Sequence, residues 1–193
     1  MSTRSPLALA PEIDEFRRQF EQLAAEADRL AAALGDAQFA WQPAPGRWSV
    51  AECLDHLNAT ARGYLPVLDE GIADAIRRGL YAPGPHAYNW VGRLFVSLSG
   101  PEPWLRVRAP RAFHPVPGRS RHDVMAAFRA YQVQYIDRLR QANGLDLARA
   151  RVASPAARWL RLPLGSAFAT MVAHERRHLA QARRVLDAAG FPR

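Results

Sequence analysis

Apolar side chains recur along the chain at alternating steps of three and four residues, which is the period of an amphipathic α-helix. The first such run extends from Ile13 to Leu34, and Gly35 after it is expected to end the helix. Its seam consists of Ile13, Phe16, Phe20, Leu23, Ala27, Leu30 and Leu34. One long apolar seam on a single face predicts a helix that packs in a bundle. Residues 36–47 are rich in turn-forming residues and are expected to form a loop that cannot continue the helix.

A second apolar stripe begins after Ser49, which forms a capping box with Glu52 three residues later. The stripe consists of Val50, Leu54, Leu57, Ala61, Leu65 and Leu68. Pro66 lies inside this predicted helix and is expected to kink it near residues 61–62. His56 lies on the flank of the stripe, and its neighbours there are all small: Cys53, Ala59, Thr60 and Gly63. The open volume beside His56 suits a metal ligand, although a partly exposed histidine without a role fits the same pattern.

Residues 78–119 form the least regular part of the sequence, because seven prolines interrupt it. A long crossover is expected here, with one short helix at about residues 88–98. The aromatic residues of this segment indicate that it packs on the rest of the molecule. The histidines in this region and at its edge are interpreted as surface residues: His86, His114 and His122.

Two further helices follow the crossover. The third is predicted between Ser120, a typical N-cap residue, and Gly144. A loop is expected at residues 153–165, and Ser166 is expected to cap the last helix, from Phe168 to Leu186. Four long helices with a long irregular crossover between helices 2 and 3 predict an all-α four-helix bundle. No alternation typical of strands competes with this interpretation.

The last predicted helix places polar residues on its inward face. His174, His178 and Gln181 fall within about 60° of one another, on the same stripe as the apolar Met171 and Val185. Two imidazoles one helical turn apart can bind one ion at about 2.0–2.1 Å from each nitrogen. Core histidines that hydrogen-bond to their neighbours are the alternative. Because an amide is a poorer ligand than imidazole, Gln181 is expected to line the pocket or to support a ligand histidine.

Length, charge and cysteine content restrict the class of protein. The chain has 193 residues, so residues 1–193 are interpreted as one domain. The formal net charge is +8, but every basic residue is arginine, which indicates a coding bias, and no nucleic-acid partner is expected. Cys53 is the single cysteine and no secretory signal is recognisable, so a cytoplasmic protein is expected. The most apolar run, residues 90–98, is too short to cross a membrane.

Two segments of the chain resemble the DinB-like superfamily, which includes the YfiT-type proteins. One extends from Trp48 to Leu57 around His56, and the other is the run from His174 to Gln181. The resemblance covers most of the chain and implies a four-helix bundle with a long crossover. It also implies a divalent metal, often zinc or nickel, bound through three histidines that match His56, His174 and His178.

Some proteins of this kind are thiol transferases, such as bacillithiol S-transferase, and a related branch contains the mycothiol-dependent maleylpyruvate isomerase. The resemblance therefore implies a metal-dependent thiol S-transferase that uses a low-molecular-weight thiol and a small-molecule substrate held under the crossover. Rim arginines are expected to hold the carboxylates of the thiol, and the candidates are Arg106, Arg108 and Arg158. The alternative is a non-catalytic metal-binding or stress-response interaction module. The sequence leaves a homodimer open.

Cys53 precedes His56 by three positions and is weighed as a nucleophile or as a fourth metal ligand. Its neighbours Val50 and Leu57 are apolar, and lone cysteines are among the most frequently buried residues. A thiolate as fourth ligand would also close the open position that a catalytic metal needs. A small buried thiol is therefore the favoured interpretation.

Overall fold

The computed structural model describes residues 8–88, 90–100 and 110–193, apart from the side chains at positions 90, 91, 95 and 158. The helices are α1 (Pro11–Ala32), α2 (Asp36–Ala40), α3 (Val50–Arg77), α4 (Trp90–Ser99), α5 (Arg121–Gln141) and α6 (Leu164–Leu186). A short 3-10 helix spans Arg111–Phe113, and two antiparallel strands, β1 (Arg151–Ser154) and β2 (Ala157–Pro163), precede α6. None of the described helices is long and apolar enough to span a membrane.

The four long helices α1, α3, α5 and α6 form the predicted bundle. Both α1 and α3 pack against α5 and α6, so the apolar seams meet in one core. The seam residues Phe20 of α1, Leu54 of α3 and Leu139 of α5 are completely buried. Burial of these faces provides the main favourable free energy of folding. The prediction of an all-α four-helix bundle is therefore confirmed.

The predicted starts of α3 and α5 are also confirmed. Ser49 Oγ accepts a hydrogen bond from the Glu52 amide at 3.1 Å, and a Glu52 carboxylate oxygen accepts one from the Ser49 amide at 2.8 Å. At the start of α5, Ser120 Oγ accepts from the Asp123 amide at 3.0 Å. Each bond satisfies an amide that has no partner within its own helix. The Ser49 cap matters for the site, because it fixes where α3 begins and therefore where His56 lies.

The segment before α6 differs from the prediction. Residues 153–165 were expected to form a loop, but most of them belong to the β1–β2 hairpin, in which Val152 pairs with Leu162. Ser166 does not cap α6, because α6 already begins at Leu164 and Ser166 is buried inside it. Two short strands give too few residues for an alternating pattern to be visible in the sequence.

The segment after α1 also differs from the prediction. Residues 36–47 were expected to form a loop, yet a separate short helix, α2, occupies residues 36–40; Gly35 is its N-cap and the buried Phe39 anchors it. Gly35 therefore starts a helix, while α1 ends earlier, at Ala32. Helix α3 continues through Pro66 to Arg77 as a single helix, and Pro66 lies on its exposed side.

The crossover contains the predicted short helix, because α4 occupies residues 90–99 and packs against α6. Farther along, the 3-10 helix packs on α3 at Gly63, where a Cβ atom would lie 2.6 Å from the Phe113 ring. His114 and His122 are exposed, as predicted. The prediction for His86 is wrong: its side chain is 9% exposed, and its Nδ1 lies 2.9 Å from a carboxylate oxygen of Glu12. This contact spans 74 residues and leaves no local pattern in the sequence.

Candidate metal centre

Three imidazoles from two helices converge between α3 and α6. His56 is on α3, while His174 and His178 lie one turn apart on α6. Their ring centroids are 4.4–5.1 Å apart, and one nitrogen from each ring lies within 4.8 Å of the others. His56 and His178 are buried and His174 is half-buried. The structure thus brings together all three histidines that the sequence singled out.

The ring nitrogens of His56 have distinct roles. Its Nδ1 lies 2.5 Å from the main-chain carbonyl oxygen of Phe113, which can only accept a hydrogen bond. Nδ1 therefore carries the proton, and the lone pair of Nε2 is directed towards the other two histidines. This is the usual arrangement of a metal-binding histidine, in which the second nitrogen donates to a carbonyl or carboxylate. The Phe113 carbonyl belongs to the main chain, so no residue pattern in the sequence pointed to it.

His178 is oriented in the same way by Gln181. The Nδ1 atom of His178 lies 3.1 Å from Gln181 Oε1, which accepts its hydrogen bond. Nε2 is then the nitrogen that remains for a ligand bond. Gln181 therefore contacts a histidine at the cavity wall, where the sequence placed it.

The spacing of the nitrogens fits a bound ion. His56 Nε2 and His174 Nε2 are 3.1 Å apart. Two nitrogens bound to one tetrahedral zinc at about 2.0–2.1 Å would lie roughly 3.3 Å apart. The two helices therefore already hold these imidazoles at nearly the separation that a shared ion requires.

Burial keeps the three imidazoles neutral. It lowers the pKa of each, because surroundings of low polarity disfavour the charged form. The pKa of His174 falls to about 3, mainly through burial, and the positive charges of Arg177 and of His56, where His56 is protonated, would lower it further. For His56, the hydrogen bond to Phe113 opposes part of the decrease in pKa. Neutral imidazole is the form that binds metal, so the site needs no proton release at neutral pH.

The three histidines form part of the wall of a cavity of about 810 Å³. Small-molecule sites typically measure about 300–1,000 Å³, so this cavity can hold a small ligand. Aromatic rings provide much of the apolar lining: the Trp48 ring lies 4.8 Å from that of His56, and Phe113 lies on the crossover side. Thr60 and Met171 line the wall from α3 and α6.

Basic residues also line the cavity. Arg111 and His114 come from the end of the crossover, and Arg177 comes from α6. Arg177 Nη1 donates to the Leu98 carbonyl oxygen at 3.3 Å, which places α4 at the same wall. Two of the rim arginines predicted from the sequence, Arg106 and Arg108, lie outside the described residues. The side chain of the third, Arg158, is not described.

Glu175 does not take part in this site. The pattern His174-Glu175-x-x-His178 matches the helical motif of zinc proteases, in which the glutamate acts as a general base. Here Glu175 is buried, and its Oε1 accepts a hydrogen bond from Gln132 Nε2 of α5 at 2.9 Å. Burial raises its pKa to about 8. The geometry therefore gives no support to peptide hydrolysis with Glu175 as the base.

Cys53 is a core residue. Its side chain is completely buried, and burial raises the pKa of its thiol to about 12. The cluster of candidate ligands consists of the three histidines and does not include Cys53. A buried thiol of high pKa is a poor nucleophile, so the sequence-based preference for a small buried thiol agrees with its environment.

A helical bundle with three neutral imidazoles on the wall of a ligand-sized cavity defines a class: a four-helix protein with a candidate metal centre. The chain belongs to the DinB superfamily, whose profile matches residues 19–182. This match includes all three histidines and parts of every bundle helix. Searches of curated proteins and of solved structures found no significant match.

Gln181→Ala tests the support that the amide gives to His178. We expect metal affinity to fall about 10- to 100-fold, because a histidine without its hydrogen-bond partner is less well oriented and less basic. Competition against a chromogenic chelator measures the change, with Gln141→Ala at the exposed end of α5 as the control. A loss as large as that of His178→Ala would identify Gln181 as a direct ligand instead.

Proposed function

We propose that this chain is a divalent-metal-dependent thiol S-transferase that acts with a low-molecular-weight thiol. The observation that carries the proposal is the convergence of three neutral imidazoles on the wall of a large cavity. Structural zinc sites usually have four protein ligands, whereas catalytic sites have three and an open position. Among the described residues three candidate ligands meet, which supports an open position on the cavity side.

Thiol transfer needs a thiolate at neutral pH. When bound, a divalent ion such as zinc or nickel supplies positive charge that lowers the pKa of a thiol beside it. The sulfur forms a bond to an electrophilic carbon of the substrate, and the bond from that carbon to its leaving group breaks. The leaving group departs with the bonding electrons, and the proton of the thiol passes to solvent.

The residues of the chain hold the ion and shape the space around it. Hydrogen bonds from His56 to Phe113 and from His178 to Gln181 fix which nitrogens face the ion. Trp48 supplies an apolar wall against which a thiol and an electrophile can be packed. Arg177 supplies positive charge near the histidines, which favours a thiolate and any carboxylate that the thiol carries.

The thiol has to come from outside the chain. Cys53 is the only cysteine, and it is completely buried with a raised pKa. A reactive cysteine needs an exposed position with positive charge nearby, and Cys53 has neither the exposure nor a lowered pKa. A small soluble thiol can instead enter the cavity directly.

Conjugation of cysteine or N-acetylcysteine to a chromogenic aryl chloride tests this proposal. The zinc- or nickel-loaded protein is expected to accelerate the reaction, the metal-free protein is not, and His56→Ala should lose both metal and activity. Cys53→Ala should keep both, and His122→Ala, at an exposed histidine, serves as the matched control.

Two results would contradict the proposal. Loss of activity in Cys53→Ala with the metal still bound would indicate catalysis by the protein's own cysteine. If the metal-loaded protein binds its ion but does not accelerate transfer with any thiol in a broad panel, the alternative of a non-catalytic metal-binding module is favoured.

A further inference from the structure

We infer that Asp55 and Arg119 position His56 for metal binding, by clamping the end of the crossover onto α3. The inference is independent of thiol transfer, because it concerns the affinity of the site for the ion alone. Asp55 directly precedes His56 on α3, and Arg119 lies just before α5. Neither residue belongs to the ligand cluster, so their role would be indirect.

Asp55 is a buried carboxylate whose two side-chain hydrogen bonds among the described residues come from the end of the crossover. Only 4% of the residue is exposed. Its Oδ2 accepts a hydrogen bond from the Val116 amide at 2.8 Å, and its Oδ1 accepts one from Arg119 Nη1 at 2.9 Å. A buried charge is costly unless it is paired and hydrogen-bonded. Asp55 therefore favours strongly the arrangement in which residues 116–119 lie against α3.

The clamped segment is the one that orients His56. Val116 follows Phe113 by three residues, and the Phe113 carbonyl oxygen accepts the Nδ1 hydrogen bond of His56. Neighbouring side chains point about 100° apart on a helix, so Asp55 and His56 can hold two separate parts of the same segment. If residues 116–119 left α3, the carbonyl of Phe113 would lose its fixed position.

Two further contacts support this arrangement. The Phe113 ring packs directly on Gly63, where any Cβ atom would collide with it at 2.6 Å. Asn58 Nδ2 donates to the Val124 carbonyl oxygen at 3.0 Å and so holds the start of α5 on α3. The crossover end therefore contacts α3 before, at and after the clamp, and the Phe113 carbonyl is presented to His56 from this segment.

This geometry couples metal binding to the docking of the crossover end on α3. Phe113 forms part of the cavity wall and also orients His56. An ion that binds better to the oriented imidazole must, by thermodynamic reciprocity, stabilise the docked crossover to the same extent. Loss of the clamp should accordingly weaken metal binding even though no metal ligand is changed.

The test compares Asp55→Asn and Arg119→Gln with the wild type. Each is expected to bind zinc about 10- to 100-fold more weakly in chelator competition, the range typical when a partner of a ligand histidine is lost. Arg119→Lys keeps the positive charge and should recover most of the affinity. Asp28→Asn, which removes an exposed ion pair with Arg129, should bind zinc as the wild type does.

A purely structural role is distinguished by a second measurement. If the clamp only stabilised the fold, Asp55→Asn would lower the unfolding temperature of the metal-free protein but leave the zinc affinity of the folded protein unchanged. That outcome overturns the inference. Hydrogen exchange of the Val116 amide reports the clamp itself: zinc should slow it in the wild type and have no effect in His56→Ala. If the wild type binds zinc but transfers no thiol, the transferase proposal fails and the clamp stands. If it binds no zinc, both fail.

Discussion

Replacing His178 with alanine is expected to abolish stoichiometric binding of a divalent transition metal while the bundle remains folded. The same result is expected for His56→Ala and His174→Ala. Loss of a supporting hydrogen bond weakens a metal site about 10- to 100-fold, so loss of one of three ligands should exceed roughly 100-fold. The apolar seams do not depend on the imidazoles, so the helix content should change little.

Elemental analysis after purification without chelators or a polyhistidine tag measures this effect, together with zinc and nickel titrations of the metal-free protein. About one equivalent of a single metal is expected in the wild type. His122→Ala removes an exposed histidine and should keep the full metal content. Unchanged metal content in the His174→Ala and His178→Ala proteins would refute the three-histidine centre.

The bundle could be predicted because its seams are long and strictly periodic. The α1 seam repeats over six turns, and nearly all of its side chains are buried in the structure. The capping box at Ser49 added a second, independent signal for the start of α3. The β1–β2 hairpin gave no such signal, because its strands are short. The hairpin packs against α3, where Gly71 lets the Arg151 carbonyl approach closely, and a distant contact of this kind leaves no local pattern.

The candidate site was predictable in part for a similar reason. His174 and His178 are one turn apart, so helical geometry alone places them together. His56 lies 118 residues from His174, and the two were connected by the expected bundle, whose facing helices can share a metal site, and by the resemblance to a family. The Phe113 carbonyl and the Asp55 clamp depend on how the irregular crossover returns to α3. Contacts of that kind are made by main-chain atoms and by distant pairs, so no local pattern encodes them.

Glu175 is the second residue at which a substitution is expected to have a large effect, here on stability, because its carboxyl group is buried in the core. Its pKa is raised to about 8 by burial, from an ordinary value of 4.5. Between these two values the folded protein keeps a proton that the unfolded chain releases, so stability falls as the pH rises through this window. The histidines act in the opposite direction: their pKa values are lowered, so they reduce stability as the pH falls below about 6.5.

Glu175→Gln is therefore expected to stabilise the metal-free protein by roughly 2–4 kcal/mol at pH 8 and by little at pH 4.5. The introduced amide keeps an oxygen that can accept from Gln132 Nε2, and its NH2 group takes the place of the protonated oxygen of Glu175, so the substitution removes the titration and keeps the contact. Free energies of unfolding in urea at the two pH values measure the effect, with the exposed Glu70→Gln as control. A gain in stability that is equal at both pH values would show that Glu175 does not hold a proton in the folded protein.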